Sequence, residues 1–81
     1  MDKREIMQVA SFLSDVRESL FRRRSEAVLR LHLTKLYEVI RRLAEARSAT
    51  ENQTVKVLLR HLWLKARRYQ RELERRLAVR N

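Results

Sequence analysis

Residues 20–29, LFRRRSEAVL, contain the point at which two apolar stripes change phase. Before this segment, apolar residues recur at alternating steps of three and four, the spacing of one helix face. The same alternation resumes at Leu29 and continues to Leu43. Leu29 follows Leu20 by nine residues, which at about 100° per residue is half a turn out of phase. One straight helix would therefore carry two opposite apolar faces, whereas a turn at Arg22–Ser25 brings both faces inward.

The stripes predict an all-α fold in a single domain of 81 residues. Neither glycine nor proline occurs in the chain, so the residues suited to tight β-hairpin turns are missing. Short connections favour a small antiparallel three-helix bundle. Helix 2 has the widest apolar arc and is therefore predicted to be the central helix. The predicted helices cover about residues 3–21, 26–47 and 54–79.

Polar residues mark the predicted helix ends. The segment SATENQT, residues 48–54, is polar and weakly helical, and it is predicted to be the second connection. The first connection has an alternative, because RRRSE contains no helix breaker and one long helix through residue 47 stays open. The candidate caps are Asp2 with Glu5 for helix 1, Ser25 for helix 2, and Thr50 with Gln53, Asn52 or Thr54 for helix 3.

Each helix is expected to bury its apolar stripe against the other two. In helix 3 this stripe includes Tyr69, which is predicted to belong to the core. The predicted core residues are Ile6, Val9, Leu13, Val16, Leu20, Leu29, Leu33, Leu36, Ile40, Leu43, Val55, Leu58, Leu62, Ala66, Tyr69, Leu73 and Leu77.

The charge of the chain is polarised toward helix 3. The net charge is +10, and residues 54–81 alone carry nine basic and two acidic groups. Lys56, Arg60, Arg67 and Arg71 fall within about 60° on a helical wheel, and only Arg71 has an acid, Glu74, within one turn. Aligned like charges destabilise a helix, and a polyanion reverses that effect. The stripe therefore predicts contact with a nucleic-acid phosphate backbone.

Further residues are candidates for the same interface. Trp63 lies between the stripe and the core side, where it could stack on a base or form a core rim with arginines over it. Three arginines at the first turn exceed what a helix C-terminus needs, and together with helix 3 they could clamp a backbone. The additional candidates for nucleic-acid binding are Arg68, Arg75, Arg76, Arg22, Arg23, Arg24 and Trp63.

Val57 and Leu64 lie nearly opposite the core stripe of helix 3, seven residues apart. Leu31 is similarly placed on the outer face of helix 2. Single exposed apolar residues are normal, but a stacked pair beside cations indicates a second surface. These three residues predict an interface with a protein partner or a second copy of the chain.

The sequence lacks the motifs of catalytic, metal and cofactor sites. His32 and His61 lack metal-binding spacing, the chain has no cysteine, and the absence of glycine excludes phosphate-binding loops. We therefore expect no enzyme, metal, cofactor or small-molecule substrate. No apolar run reaches the roughly 18 residues of a membrane span, and the charged start MDKREIMQ lacks a signal-peptide core. We expect a cytoplasmic protein that does not associate with membranes. Association with a nucleoid or a ribonucleoprotein is a further option.

The sequence therefore favours a non-enzymatic accessory protein that contacts DNA or RNA through helix 3. A replication or polymerase assembly, a ribonucleoprotein or a nucleoid would supply the polyanion. The main alternative is a protein-interaction module whose basic face docks an acidic partner. A basic segment lying on an anionic membrane is a third hypothesis, disfavoured because the helices need their apolar faces for each other.

Overall fold

The computed structural model describes residues 1–22 and 24–78, which form three α-helices and no strand. The helices are α1 (Lys3–Phe21), α2 (Glu26–Ala49) and α3 (Gln53–Ala78). The predicted all-α three-helix bundle is confirmed, and the bounds differ from the prediction by two residues at most. Residue 79, the predicted last residue of helix 3, lies outside the described residues.

The helices alternate in direction along an elongated molecule of 43 × 20 × 15 Å. The side chain of Arg42 on α2 donates to Glu5 near the start of α1 at 2.6 Å. The hydroxyl of Tyr37 on α2 donates to Glu74 near the end of α3 at 2.8 Å. Further along α1, Phe12 packs against His32, and near the start of α3 Lys56 lies beside Arg47. Contacts that advance along α1 and α3 therefore go back along α2, so α2 is antiparallel to both, and α1 and α3 are parallel to each other.

The turn between α1 and α2 forms where the stripes change phase. Arg22, the C-cap of α1, has an extended backbone, and its N–H donates to the Glu18 carbonyl at 3.0 Å. Ser25, also extended, accepts the Val28 N–H on its hydroxyl at 3.3 Å and caps α2. The alternative of one long helix through residue 47 is therefore wrong, because only the turn buries both stripes.

The capping box that starts α1 forms as predicted. The backbone N–H of Glu5 donates to the Asp2 carboxylate at 2.9 Å, and the Glu5 carboxylate accepts the Asp2 N–H at 3.5 Å. Two of the donors that a helix N-terminus leaves without partners are satisfied in this way.

The connection between α2 and α3 is shorter than predicted, because α2 continues through Ser48 to Ala49. Asn52 is the cap of α3, since its side-chain oxygen accepts the Val55 N–H at 3.1 Å. The predicted capping box of Thr50 with Gln53 is wrong, because the Thr50 hydroxyl accepts the Asn52 N–H at 3.3 Å instead. A connection of only three residues holds the start of α3 against the end of α2.

The core contains most of the predicted stripes, but α3 is rotated. Leu58 was predicted to be buried and is 43% exposed, whereas its neighbour Leu59 is buried. Gln70 is also buried and Tyr69 only partly so. The buried face of α3 is therefore turned by about 30° toward Leu59 and Gln70, because α1 and α2 both pack on that side. The buried hydrophobic residues are Val9, Leu13, Val16, Leu29, Leu36, Leu43, Leu59, Leu62, Ala66, Leu73 and Leu77.

The central helix is α3, and the prediction that helix 2 is central is wrong. α3 contacts α2 along its length and is also the main neighbour of α1, whereas α1 and α2 contact each other least. The wide apolar arc of α2 is not fully covered, because Tyr37 and Ala44 stay exposed. The helix with the highest charge is therefore the one that both others pack against.

Candidate nucleic-acid interface

Two neighbouring helices cover two sides of α3. α2 contacts the side that carries Trp63 and Glu74, and α1 contacts the side that carries Tyr69 and Arg76. With Lys56 at 0° on a helical wheel, these sides lie at about 340–360° and about 200–220°. The sector from about 20° to about 160° faces away from both helices. We call this sector the open face of α3.

Lys56, Arg60, Arg67 and Arg71, which we call the basic stripe, lie along the edge of the open face nearest α2. Arg60 and Arg71 are exposed, and Lys56 and Arg67 are half-buried. Fifteen residues separate the two ends of the stripe, which is ~22 Å at about 1.5 Å per residue. The four cations are therefore aligned along one side of α3, two of them exposed and two half-buried.

No residue of the basic stripe has an ion pair within residues 1–22 and 24–78. Arg71 was predicted to be within reach of Glu74, and that pair does not form. The Glu74 carboxylate instead accepts the Tyr37 hydroxyl at 2.8 Å and the Gln70 amide at 3.2 Å. Glu74, which is one turn from Arg71 in the sequence, is therefore bound by Tyr37 of α2 instead.

Arg67 is held in place by its surroundings. Its guanidinium lies 5.7 Å from the ring centroid of Trp63 and donates to the Gln70 side chain at 3.0 Å. Gln70 is buried and donates in turn to Glu74, which accepts from Tyr37. The hydrogen bond to Glu74 is the main cause that raises the pKa of Tyr37. An arginine fixed by such a chain loses less side-chain entropy when it binds an anion.

Trp63 is a half-buried residue that packs against the core, with Arg67 over its ring. This is the core-rim arrangement, one of the two alternatives considered for this residue. The core covers part of the indole, and the exposed part lines the groove that also contains Arg67 and Arg71.

Arg47 is a residue of this surface that the sequence interpretation missed. It lies in the last turn of α2 and lines an open groove with Lys56, Trp63 and Ser48. The short connection to α3 brings it there. The proximity of residue 47 to the start of helix 3 was a usable indication, because a short antiparallel connection places those ends side by side.

Three other predicted cations of α3 divide into two groups. Arg68 is exposed and makes no ion pair with a residue that the structure describes. Arg75 and Arg76 both pair with Glu72, at 2.7 and 3.2 Å. The hydrogen bond from Arg75, above all, and that from Arg76 lower the pKa of Glu72. Glu72 is also one turn from Arg68 but pairs with the other two, so Arg68 extends the cationic surface whereas Arg75 and Arg76 are partly neutralised.

Arg22 and Arg24, the two first-turn arginines that the structure describes, lie at the end of α1, away from the basic stripe. Arg22 pairs with Glu18 at 3.0 Å, and Arg24 is exposed; Arg23 lies outside the described residues. The Leu20 carbonyl beside this turn accepts from Arg76 at 2.7 Å, about 140° around α3 from Arg71. The corner therefore lies on the other flank of α3 from the basic stripe, because α1 packs there, and a clamp of this corner with helix 3 stays a prediction.

The three predicted partner-interface residues are all exposed, but they do not form one patch. Val57 is 68% and Leu64 50% exposed, both in the middle of the open face. Leu31 is 62% exposed and lies about 200° around α2 from the buried Leu29, so it is on a different helix from the other two and faces away from the core.

The two histidines occupy different environments. His61 is exposed, and His32 packs edge-on against Phe12 with ring centroids 5.9 Å apart. Burial lowers the pKa of His32 against the opposing effect of Asp15. Among the described residues there is no group of three or more His, Cys, Asp or Glu side chains placed to hold a metal ion.

No family model, curated protein or solved structure matches this chain. None of the helices within the described part of the chain is long and apolar enough to cross a membrane.

Proposed function

We propose that this protein is a non-enzymatic nucleic-acid-binding accessory protein that contacts the phosphate backbone of DNA or RNA through α3. The supporting observation is the uneven pairing of charge in the described residues. Six of the eight basic residues of α3 have no ion pair there, whereas three of the five in α2 are ion-paired. Cations kept without ion pairs, four of them aligned in the basic stripe, suit an external polyanion.

The mechanism is counterion release along the basic stripe. Lys56, Arg60, Arg67 and Arg71 each displace condensed cations when they approach a phosphate, which favours binding at low salt. Four such contacts on a duplex give a log–log salt slope of about −3 to −4. Contacts of this kind carry little sequence information, so the expected binding is nearly independent of sequence.

Other cations contribute according to how they are engaged. Arg68 and Arg47 extend the surface on either side of the stripe. Arg75, Arg76 and Arg22 take part in exposed ion pairs, which are weak enough for a phosphate to displace. We expect these three, with Arg23 and Arg24, to assist binding less than the stripe does.

The chain acts as a subunit of a larger assembly in this proposal. Val57 and Leu64 are exposed in the middle of the cations of the open face, where a protein neighbour would bury them. A replication or polymerase complex, a ribonucleoprotein or a nucleoid would combine such a neighbour with nucleic acid. The corresponding location is the cytoplasm, including the nucleoid where the cell has one.

The experiment measures binding to labelled duplex DNA, single-stranded DNA and structured RNA across a salt series. The test variant replaces Arg60, Arg67 and Arg71 with glutamine. The matched control replaces three exposed arginines of the other helices, Arg4, Arg30 and Arg41, and removes the same charge.

We expect the test variant to flatten the wild-type slope by ~2.7, the loss of three phosphate contacts. We expect the control to keep a slope close to wild type. Equal flattening in both variants, or no binding by the folded wild type at low salt, contradicts the proposal.

The second candidate is a protein-interaction module whose basic face docks an acidic partner. Val57 and Leu64 favour it, because an apolar pair flanked by cations suits a helix with an apolar stripe flanked by acids. Salt sensitivity does not separate the two candidates, since both are electrostatic. Competition does: nucleic acid displaces a bound nucleic acid generally, but displaces a protein partner only where the surfaces overlap.

A further inference from the structure

A groove lies between the C-terminal half of α1 and α3, on the other flank of α3 from the basic stripe. Lys65, at its centre, is about 180° from Lys56 on the helical wheel. Cations and aromatic rings line the groove together with one acid, Glu72. It contains no residue of the basic stripe and shares only Arg68 and Arg76 with the proposed backbone contacts. Six of the residues that line it are Arg17, Phe21, Lys65, Arg68, Tyr69 and Arg76.

Phe21 is the most unusual residue of this groove. It is the last residue of α1 and is 79% exposed, more than any other large hydrophobic residue among those described. Burying this ring would stabilise the fold, and the fold leaves it in solvent instead. The Arg17 guanidinium lies 5.7 Å from the ring centroid. A single exposed phenylalanine is normal in a folded protein, but this ring lines the same groove as Arg17, Lys65 and Arg68.

The cations of the groove are mostly available to a ligand. Arg17, Lys65 and Arg68 make no ion pair with any residue that the structure describes. Arg76 has a different role, because it donates to the Leu20 carbonyl at 2.7 Å and pairs with Glu72. It ties the end of α1 to α3 and so fixes the position of Phe21 relative to the cations of α3.

We propose that this groove binds an unpaired nucleobase of a single-stranded nucleic acid. The base stacks on Phe21, and the flanking phosphates contact Arg17, Lys65 and Arg68. Aromatic side chains within a basic groove are the general means of holding single strands, because every base has a flat face and every linkage a charge. A duplex keeps its bases stacked on each other, so it engages the basic stripe but not Phe21. This inference rests on the proposed function and adds that the protein binds single-stranded as well as duplex nucleic acid.

The test compares a short single strand with a duplex of the same length by fluorescence anisotropy, at one fixed low salt concentration. Phe21→Leu keeps an apolar side chain and removes the aromatic face, whereas Phe21→Trp enlarges that face. The control is Met7→Leu, at another exposed apolar position on α1. Thermal unfolding of each variant verifies that it is folded, which we expect because residue 21 is exposed.

We expect Phe21→Leu to weaken single-strand binding by about fivefold to 150-fold, the range for losing one stacked base. Phe21→Trp should bind single strands at least as well as wild type, and duplex affinity should be unchanged in both. Unchanged single-strand affinity in Phe21→Leu, or an equal loss on the duplex, overturns the stacking site. Duplex binding then still stands for the proposed function, whereas absence of binding to either strand form overturns both.

Discussion

Removing one acid from α3 should strengthen nucleic-acid binding if the open face is the interface. Glu72 holds Arg75 at 2.7 Å and Arg76 at 3.2 Å. Glu72→Gln preserves the size of the side chain and removes its charge. Arg75, which points into the same groove as Arg67 and Arg71, then becomes available to a phosphate.

The size of this effect follows from one added contact. Each phosphate contact on a duplex makes the log–log salt slope steeper by ~0.9 and, at about 0.1 M salt relative to about 1 M, raises the affinity about eightfold. Glu45→Gln is the matched control, because it changes the net charge equally but releases Arg41, an exposed residue of α2. We expect the control to change affinity by less than about twofold, as a charge beyond the contact zone is screened.

The assay is anisotropy of a labelled duplex in a salt series, with the wild type and both variants at equal concentration. Thermal midpoints should be similar for all three, since both acids are on the surface. An equal rise in affinity for the two variants would show that only net charge matters and would refute the assignment to α3. A rise in neither would remove Arg75 from the interface.

Three further predictions concern stability. Replacing the fully buried Leu36 with alanine should lower the free energy of urea unfolding by about 2–5 kcal/mol. Leu31→Ala on the surface should lower it by less than about 0.5 kcal/mol, and equal losses would contradict the placement of Leu36 in the core. Ser25→Ala should cost about 1 kcal/mol by removing the α2 cap, and an unchanged urea midpoint would show that the cap contributes nothing. Burial lowers the pKa of His32 from 6.5, so just below that pH the unfolded chain binds more protons than the folded chain, and stability falls as the pH falls through this window. His32→Leu should reduce this loss in unfolding curves measured from pH ~7.5 to ~5. Identical curves for the variant and the wild type would contradict the prediction.

The turn between α1 and α2 was predictable because phase is a property of the sequence. Leu20 and Leu29 cannot face the same core on one straight helix. The choice between Leu58 and Leu59 was not predictable in this way, since both are leucines one position apart and either fits an apolar face. The packing of α1 and α2 on α3 decides it, and that arrangement depends on contacts between distant parts of the chain.

In the candidate site, too, some features follow from local spacing in the sequence and others depend on tertiary packing. The basic stripe follows from the spacing of four cations on one helix and needs no tertiary information. The approach of Arg47, the engagement of Glu74 by Tyr37 and the Phe21 groove all depend on which helix packs on which flank. Local spacing offered Glu74 to Arg71, but a hydroxyl 37 residues away along the chain takes it.

The most direct test of the central claim is an NMR titration that follows the arginine side-chain Nε–Hε signals while a short duplex is added. We expect the signals of Arg60, Arg67 and Arg71 to shift first and most, with Arg68 following. The signals of Arg4, Arg30 and Arg41 should move little, and all shifts should reverse on addition of salt. Shifts spread evenly over both groups, or confined to the second, would contradict α3 as the nucleic-acid face.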